Sequence, residues 1–130
     1  MQRLIVGAWA LLAVACVDPS LNALTVPPLG KQALLNSEAW TITLSRGVAL
    51  GFDCALDGPC ADASATVDDG NLVLVLPAYL DDLGVNYTDG LYAGSAAKTG
   101  FVLVGKVEGR TKLRVKAEDV EVEYELEIVR

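Results

Sequence analysis

The last 21 residues alternate strictly between charged and apolar side chains, and this pattern constrains the fold more than any other. Arg or Lys occupies every second position from 110 to 116, and Glu does so from 121 to 127. A period of two is typical of strands with one buried face. Glu118-Asp119 lies between the two runs and predicts a two-residue turn. The segment is therefore predicted to be a β-hairpin.

A turn at Glu118-Asp119 also sets the register, because the numbers of paired residues must then add up to 237. Opposite charges then face each other at every outward pair: Lys116 with Glu121, Arg114 with Glu123, Lys112 with Glu125 and Arg110 with Glu127. On the other face, Val115 meets Val122 and Leu113 meets Tyr124. A slip by one residue would place charges on the core side, so the pattern indicates one register.

Five further runs are rich in β-forming residues and are separated by turn residues: 40–44, 48–54, 63–67, 72–76 and 101–104. Leu72–Leu76 is unbrokenly apolar and ends at Pro77, which predicts a strand buried on both faces. About seven short strands and no convincing long helix predict an all-β fold, an antiparallel β-sandwich.

Residues 101–115 read FVLVGKVEGRTKLRV, an apolar strand, a turn glycine and then Thr-x-Leu-x-Val. Followed by a last alternating strand, this segment resembles bacterial immunoglobulin-like (Big-type) domains. The resemblance extends from Trp40 to the C-terminus and is good over the last 30 residues. It implies an immunoglobulin-like fold for residues 31–130 and says little about function.

The N-terminus has the order of a bacterial export signal. Arg3 precedes an uncharged run from Leu4 to Val17, which is shorter than the roughly 20 residues that span a bilayer. The run leads into Leu12-Ala13-Val14-Ala15-Cys16, which resembles the lipobox of bacterial lipoproteins, although Ala13 stands where Leu is usual. An ordinary signal cut after Ala15 is the alternative.

The lipoprotein resemblance implies a signal peptide and signal helix at 1–15, lipid on Cys16, a tether at 16–30 and a domain at 31–130. Acyl chains on Cys16 would make the membrane a partner of this chain. Val17, rather than Asp, follows the cysteine, which favours the outer membrane over the inner membrane. The expected location is therefore the bacterial cell envelope.

Cys54 and Cys60 enclose a turn-rich loop and remain as an even pair once Cys16 carries lipid. In an oxidising compartment such a pair predicts a disulfide. A metal or redox pair is the competing interpretation. It has less support, because the spacing is not C-x-x-C and the chain contains no histidine.

The composition disfavours several classes of function. A net charge of −7 disfavours nucleic acid as a partner. Without histidine, the common catalytic triads and zinc sites are missing, and the spacing D-x-D-x-D-G of a calcium loop does not occur. Loop aspartates are common in turns for their own reasons. We therefore predict no enzyme, no cofactor and no metal site.

The segment between residues 77 and 100 contains Tyr79, Tyr87 and Tyr92. Tyrosine-rich loops on a rigid sandwich often bind partners, but the same side chains can also plug one end of the core. We expect a membrane-anchored, non-catalytic binding or structural module that acts on an unknown envelope protein. The alternative is an accessory subunit or inhibitor of a periplasmic enzyme.

Overall fold

The computed structural model describes residues 18–56, 60, 62–79 and 99–130. The predicted signal peptide at 1–15 and Cys16 lie outside the described residues. Within them, every regular element is a β-strand. The strands are β1 (Ser20–Ala23), β2 (Ala33–Asn36), β3 (Thr41–Ser45), β4 (Ala49–Ala55), β5 (Ser64–Val67), β6 (Val73–Tyr79), β7 (Thr99–Gly105), β8 (Gly109–Ala117) and β9 (Val120–Val129).

The strands form two sheets that pack against each other. The four-stranded sheet, called sheet A, has the order β1-β4-β7-β6, and the five-stranded sheet B has the order β2-β3-β9-β8-β5. The β-sandwich prediction is confirmed, with nine strands in the described residues rather than about seven. One pair departs from the antiparallel prediction: β3 and β9 run parallel. These two strands are far apart in sequence, so no hairpin turn forces them to be antiparallel.

The C-terminal hairpin has the predicted register at every position. Lys116 lies opposite Glu121 and Gly109 lies opposite Ile128, with all intervening pairs in step. The turn is at Glu118-Asp119, and Glu118 adopts a φ of 54°, as tight hairpin turns require of their central residues. Alternating charge and apolar residues were therefore sufficient to predict this part of the fold.

The core lies between the two sheets and is formed by every second residue of the central strands. Phe52 of β4 and Phe101 of β7 are cross-strand partners, and their ring centroids lie 5.5 Å apart. From sheet B, Tyr124 is fully buried against this layer. Burial raises the pKa of Tyr124, and a hydrogen bond with Ser37 partly opposes that rise.

The prediction that Leu72–Leu76 is buried on both faces is wrong. β6 is an edge strand of sheet A, with Val73 buried but Leu74 and Leu76 exposed at 43% and 45% on the outer face. Pro77 does not end the strand, since it pairs with Phe101 inside β6. An edge strand tolerates proline because one side of its backbone needs no hydrogen-bonding partner.

Part of the predicted tether belongs to the sandwich. Ser20–Ala23 forms β1, which pairs with β4, and Leu21 is buried in the core. Pro19 is buried as well. The folded domain therefore includes Pro19 and the residues directly after it, and not only residues from 31 onward.

At Gly105, the last residue of β7, sheet A lies close to the end of β3 in sheet B. The Gly47 amide donates a hydrogen bond to the Gly105 carbonyl at 2.7 Å, and the Gly105 amide donates to the Val48 carbonyl at 3.1 Å. A Cβ on residue 105 would lie 2.8 Å from the carbonyl oxygen of Ser45, which is backbone and cannot turn aside. Only glycine fits at this junction.

Candidate functional site

The predicted disulfide is present in the structure. Cys54 of β4 is bonded to Cys60, and their Cα atoms are 5.4 Å apart. Both side chains are buried, and the Cys60 amide donates a hydrogen bond to the Cys54 carbonyl at 3.0 Å. The bridge therefore holds Cys60, which precedes β5, against the core, and it leaves neither thiol free for other chemistry.

The structure brings only part of the predicted tyrosine cluster into view. Tyr79 is the last residue of β6, where it pairs with Thr99 of β7. Tyr87 and Tyr92 lie outside the described residues, as does Cys16.

Strand register shows which turns share an end of the sandwich. Ser20 lies opposite Ala55, and Tyr79 lies opposite Thr99 at the same end of sheet A. In sheet B, Ser64 pairs with Lys116, directly before the β8–β9 turn. We call this end the Ser20 end. The opposite end carries the turns at residues 46–48, 68–72 and 106–108.

The outer face of sheet B carries a ladder of ion pairs across β8 and β9. Arg110 lies 3.4 Å from Glu127, and Lys112 bridges Glu123 and Glu125 at 3.0 and 3.6 Å. Arg114 contacts both Glu123, at 3.3 Å, and Asp68, at 3.2 Å. Three of the four predicted pairs are therefore ion pairs. Lys116 and Glu121 are paired in register, but no ion pair between them is among the described contacts.

The ladder changes the acidity of its two best-connected members. A hydrogen bond and attraction from Glu123, with a smaller attraction from Glu125, raise the pKa of Lys112. The hydrogen bond from Lys112 lowers the pKa of Glu123, and the nearby Arg114 charge lowers it further. Both shifts favour the charged forms, so these groups stabilise one another and are not tuned for proton transfer near neutral pH.

A shallow groove of about 430 Å³ runs along the outer face of sheet B between β3 and β9. Its polar walls are the hydroxyls of Thr41 and Thr43, the carboxylates of Glu125 and Glu127, and the Arg110 guanidinium. These groups can exchange hydrogen bonds with a polar ligand or an extended peptide. This set of donors and acceptors is the chemistry of a binding surface.

The outer face of sheet A has the opposite character, and sequence analysis missed it. Register places two rows of apolar side chains side by side on its four strands. We define the aliphatic face by these residues: Leu24, Ala49, Leu74, Leu76, Val102 and Val104. Gly51 lies among them, and the Leu24 amide donates a hydrogen bond to the Gly51 carbonyl at 2.7 Å, extending β1 along β4.

The only charge on this outer face, among the described strand residues, is Asp53. Its carboxylate accepts a hydrogen bond from the Asn22 side chain at 2.9 Å, in the row nearer the Ser20 end. The sequence signal was present in the apolar runs of β6 and β7. It was misassigned because an apolar run does not reveal which of its faces is covered.

Two kinds of feature are absent from the described part of the chain. No three Cys, Asp or Glu side chains there are grouped so that they could hold a metal ion. No helix within it has the length and apolar character needed to cross a membrane.

The described residues define an immunoglobulin-like β-sandwich. Sheet A has the strand order of the four-stranded immunoglobulin sheet, and β9, β8 and β5 correspond to the three-stranded partner sheet. β3 joins that second sheet in parallel with β9. The predicted fold class, an all-β immunoglobulin-like sandwich, is confirmed.

Among solved structures, domains 5–6 of the S-layer protein SbsC are similar, with a TM-score of 0.50 and 15% identity. The match covers 86% of this chain and 45% of that one. SbsC domains 4–9 match with a TM-score of 0.47 at 12% identity, covering 86% of this chain and 14% of that one. SbsC domains 4 and 5 give 0.46 at 13%, covering 87% and 48%.

This chain therefore spans less than half of the length of each of these solved S-layer chains. At such low identity, the likeness to domains 5–6 shows the fold alone. No protein-family model matches the sequence, and no curated protein matches it.

Proposed function

We propose that this chain is a lipoprotein of the bacterial cell envelope, anchored through Cys16, whose β-sandwich is a non-catalytic binding or structural module. Acyl chains on Cys16 hold the domain at the membrane, and its surfaces are then available to an envelope protein. Val17 after the cysteine favours the outer membrane.

The observation that carries this proposal is the short distance between the lipobox and the folded domain. Only Val17 and Asp18 separate Cys16 from the buried Pro19. Even a fully extended chain of three residues reaches only about 10 Å. A lipid on Cys16 would therefore hold the sandwich itself close to the bilayer, with almost no flexible spacer.

The cysteine pairing also supports this proposal. The chain has three cysteines, and Cys54 and Cys60 are bonded to each other. Cys16 is thus left without a partner in this chain, which is awkward for a thiol in an oxidising compartment and natural for a lipid-bearing residue.

Two features support a binding or structural role over catalysis. Lys112 of β8 contacts Glu123 of β9, and the raised pKa of Lys112 and the lowered pKa of Glu123 both favour the charged forms. The fold is similar to domains of an S-layer protein, a protein of the cell surface by its name. A module that acts through its surfaces fits both features.

Replacing Cys16 with Ser tests the anchor. We expect wild type to incorporate labelled palmitate and to pellet with membranes, whereas the Cys16→Ser variant does neither and is recovered in the soluble fraction. A Cys54→Ser, Cys60→Ser double variant is the matched control, because it removes cysteines without touching the lipobox. Wild type without label, or a Cys16→Ser variant that still pellets, would exclude the lipid anchor.

A further inference from the structure

The aliphatic face is exposed in the structure, at about two-fifths or more of the side-chain surface for each of its three leucines. Exposed leucines scattered singly are ordinary, but neighbouring rows of aliphatic side chains on one sheet indicate a surface that contacts something apolar. The connection of this domain to Cys16 indicates which apolar partner that surface contacts.

The residues before Asp18 join the sandwich at β1, which is an edge strand of sheet A. The length of the connection limits a lipid on Cys16 to about 10 Å from Pro19, directly before β1. Leu24, the first residue of the aliphatic face, directly follows the other end of β1. A lipid on Cys16 would therefore place this edge of sheet A near the bilayer, and both the Ser20 end and the outer face of sheet A adjoin that edge.

Charge disfavours the other orientations of an anchored domain. The Ser20 end exposes Asp18, Asp62, Glu118 and Asp119, which anionic headgroups would repel. The outer face of sheet B carries the ion-pair ladder, whose charges lose hydration when they are pressed against lipid. The aliphatic face carries no charged side chain, and Asp53, in the adjoining row, is hydrogen-bonded to the Asn22 side chain.

We infer that the aliphatic face lies on the lipid bilayer that holds the Cys16 acyl chains. This inference rests on the proposed lipid anchor. The domain then lies on its side, with sheet A toward the membrane. The charged outer face of sheet B and its groove are turned toward the aqueous compartment.

A fluorophore that responds to its surroundings tests this orientation in the full-length, acylated protein. It is attached at Leu76→Cys on the aliphatic face, and at Thr66→Cys, an exposed strand residue on the outer face of sheet B, as the matched control. Cys16 is acylated and Cys54–Cys60 are bonded, so each variant has one reactive thiol. Leu24→Cys replaces Leu76→Cys if the latter unfolds.

The proteins are bound to vesicles of phosphatidylethanolamine and phosphatidylglycerol with brominated acyl chains, which quench nearby fluorophores. We expect the label at residue 76 to shift to the blue and to lose most of its emission, while the label at residue 66 keeps the spectrum that it has in buffer. Flotation of the vesicles and the mass of the N-terminal residue report the anchor independently.

Three results would overturn the inference. Equal quenching at both positions in protein that floats would leave the anchor intact and exclude this orientation. Shielding of residue 76 in the soluble Cys16→Ser protein would show that the chain itself or a second copy covers the face. Protein that carries no lipid and does not float would remove the proposed anchor, and the orientation with it.

Discussion

The two outer faces of the sandwich are built from strands of the same geometry and have opposite chemistry. On sheet B, β8 and β9 project four cations against four glutamates. On sheet A, the described strands project leucine, valine and alanine, with Asp53 as the one charge. One domain thus presents a hydrated face on one side and an apolar face on the other.

The two faces also differ in how they fix the fold. A one-residue slip in the β8–β9 hairpin would bury charges, so its own sequence determines the register. β6 and β7 are apolar on both faces, and a slip would merely exchange aliphatic side chains. There the connections fix the pairing: the Lys106 amide donates a hydrogen bond to the Leu72 carbonyl at 2.8 Å, and Gly105 holds the end of β7 between the sheets.

The largest expected effect is the difference in unfolding free energy between a substitution on the inner face of sheet A and one on its outer face. Leu103→Ala empties a fully buried site and should cost about 2–5 kcal/mol of unfolding free energy. Leu74→Ala, at a neighbouring exposed position on β6, should cost less than about 1 kcal/mol. Urea denaturation of both variants in buffer measures the difference. Equal losses would mean that the aliphatic face is already covered in the free protein.

The next effect concerns the disulfide, which lies on the core side of β4. Replacing both Cys54 and Cys60 with alanine should lower the unfolding free energy by about 2 kcal/mol, because the short loop is no longer closed in the unfolded chain. Reduced wild type is the control, and its melting temperature should equal that of the variant. A variant as stable as oxidised wild type would contradict the prediction.

A smaller effect tests the ion-pair ladder through pH. The pKa of Glu123 is lowered from 4.5, so its contribution to stability is present above about pH 4.5 and is lost as the pH falls through the folded pKa. Lys112 has a raised pKa, so its contribution is lost at alkaline pH, above 10.5. Lys112→Met should raise the pKa of Glu123 in a carboxyl NMR titration.

Lys116→Met is the matched control for that titration, because Lys116 is on the same strand and does not contact Glu123 in the described structure. It should leave the pKa of Glu123 unchanged. An equal response to both variants would show that general charge, and not the Lys112 contact, sets the pKa.

The smallest effect lies within the charged face itself. Arg114→Gln removes contacts with Glu123 and Asp68 and should lower Tm by a few degrees at most, since both contacts are exposed. Lys116→Gln should leave Tm unchanged. High salt should remove the difference between the variants. A difference that persists in 1 M NaCl would mean that Arg114 stabilises the domain by packing and not by charge.

The sequence predicted the fold best where polar and apolar residues alternate. In the β8–β9 hairpin, every pair and the turn at Glu118-Asp119 were correct. In β4, Leu50 and Phe52 are buried and the residues next to them, Ala49, Gly51 and Asp53, are small or polar, so alternation marks the core face there as well. Alternation shows which face of a strand is buried in the core, and the opposite face is then the one exposed to solvent.

The sequence failed where this contrast is missing. Leu74 and Leu76 were assigned to a core because an apolar run looks the same whether its second face is covered or exposed. β1 was missed because four residues beside prolines have little periodicity of their own, and Leu21 becomes visible as a core residue only once β4 lies beside it. The aliphatic face could not be predicted from the sequence, because it requires both the exposure of β6 and the position of β1 beside β4.

The parallel pair of β3 and β9 determines how the domain responds to mechanical load. Five registered pairs, from Thr41 with Glu125 to Ser45 with Val129, join two strands that run in the same direction. Tension that pulls β3 and β9 in opposite directions along their length loads the hydrogen bonds of all five pairs at once instead of opening them one at a time. Tension between the Thr41 end of β3 and the Val129 end of β9 would therefore be resisted by all five pairs together.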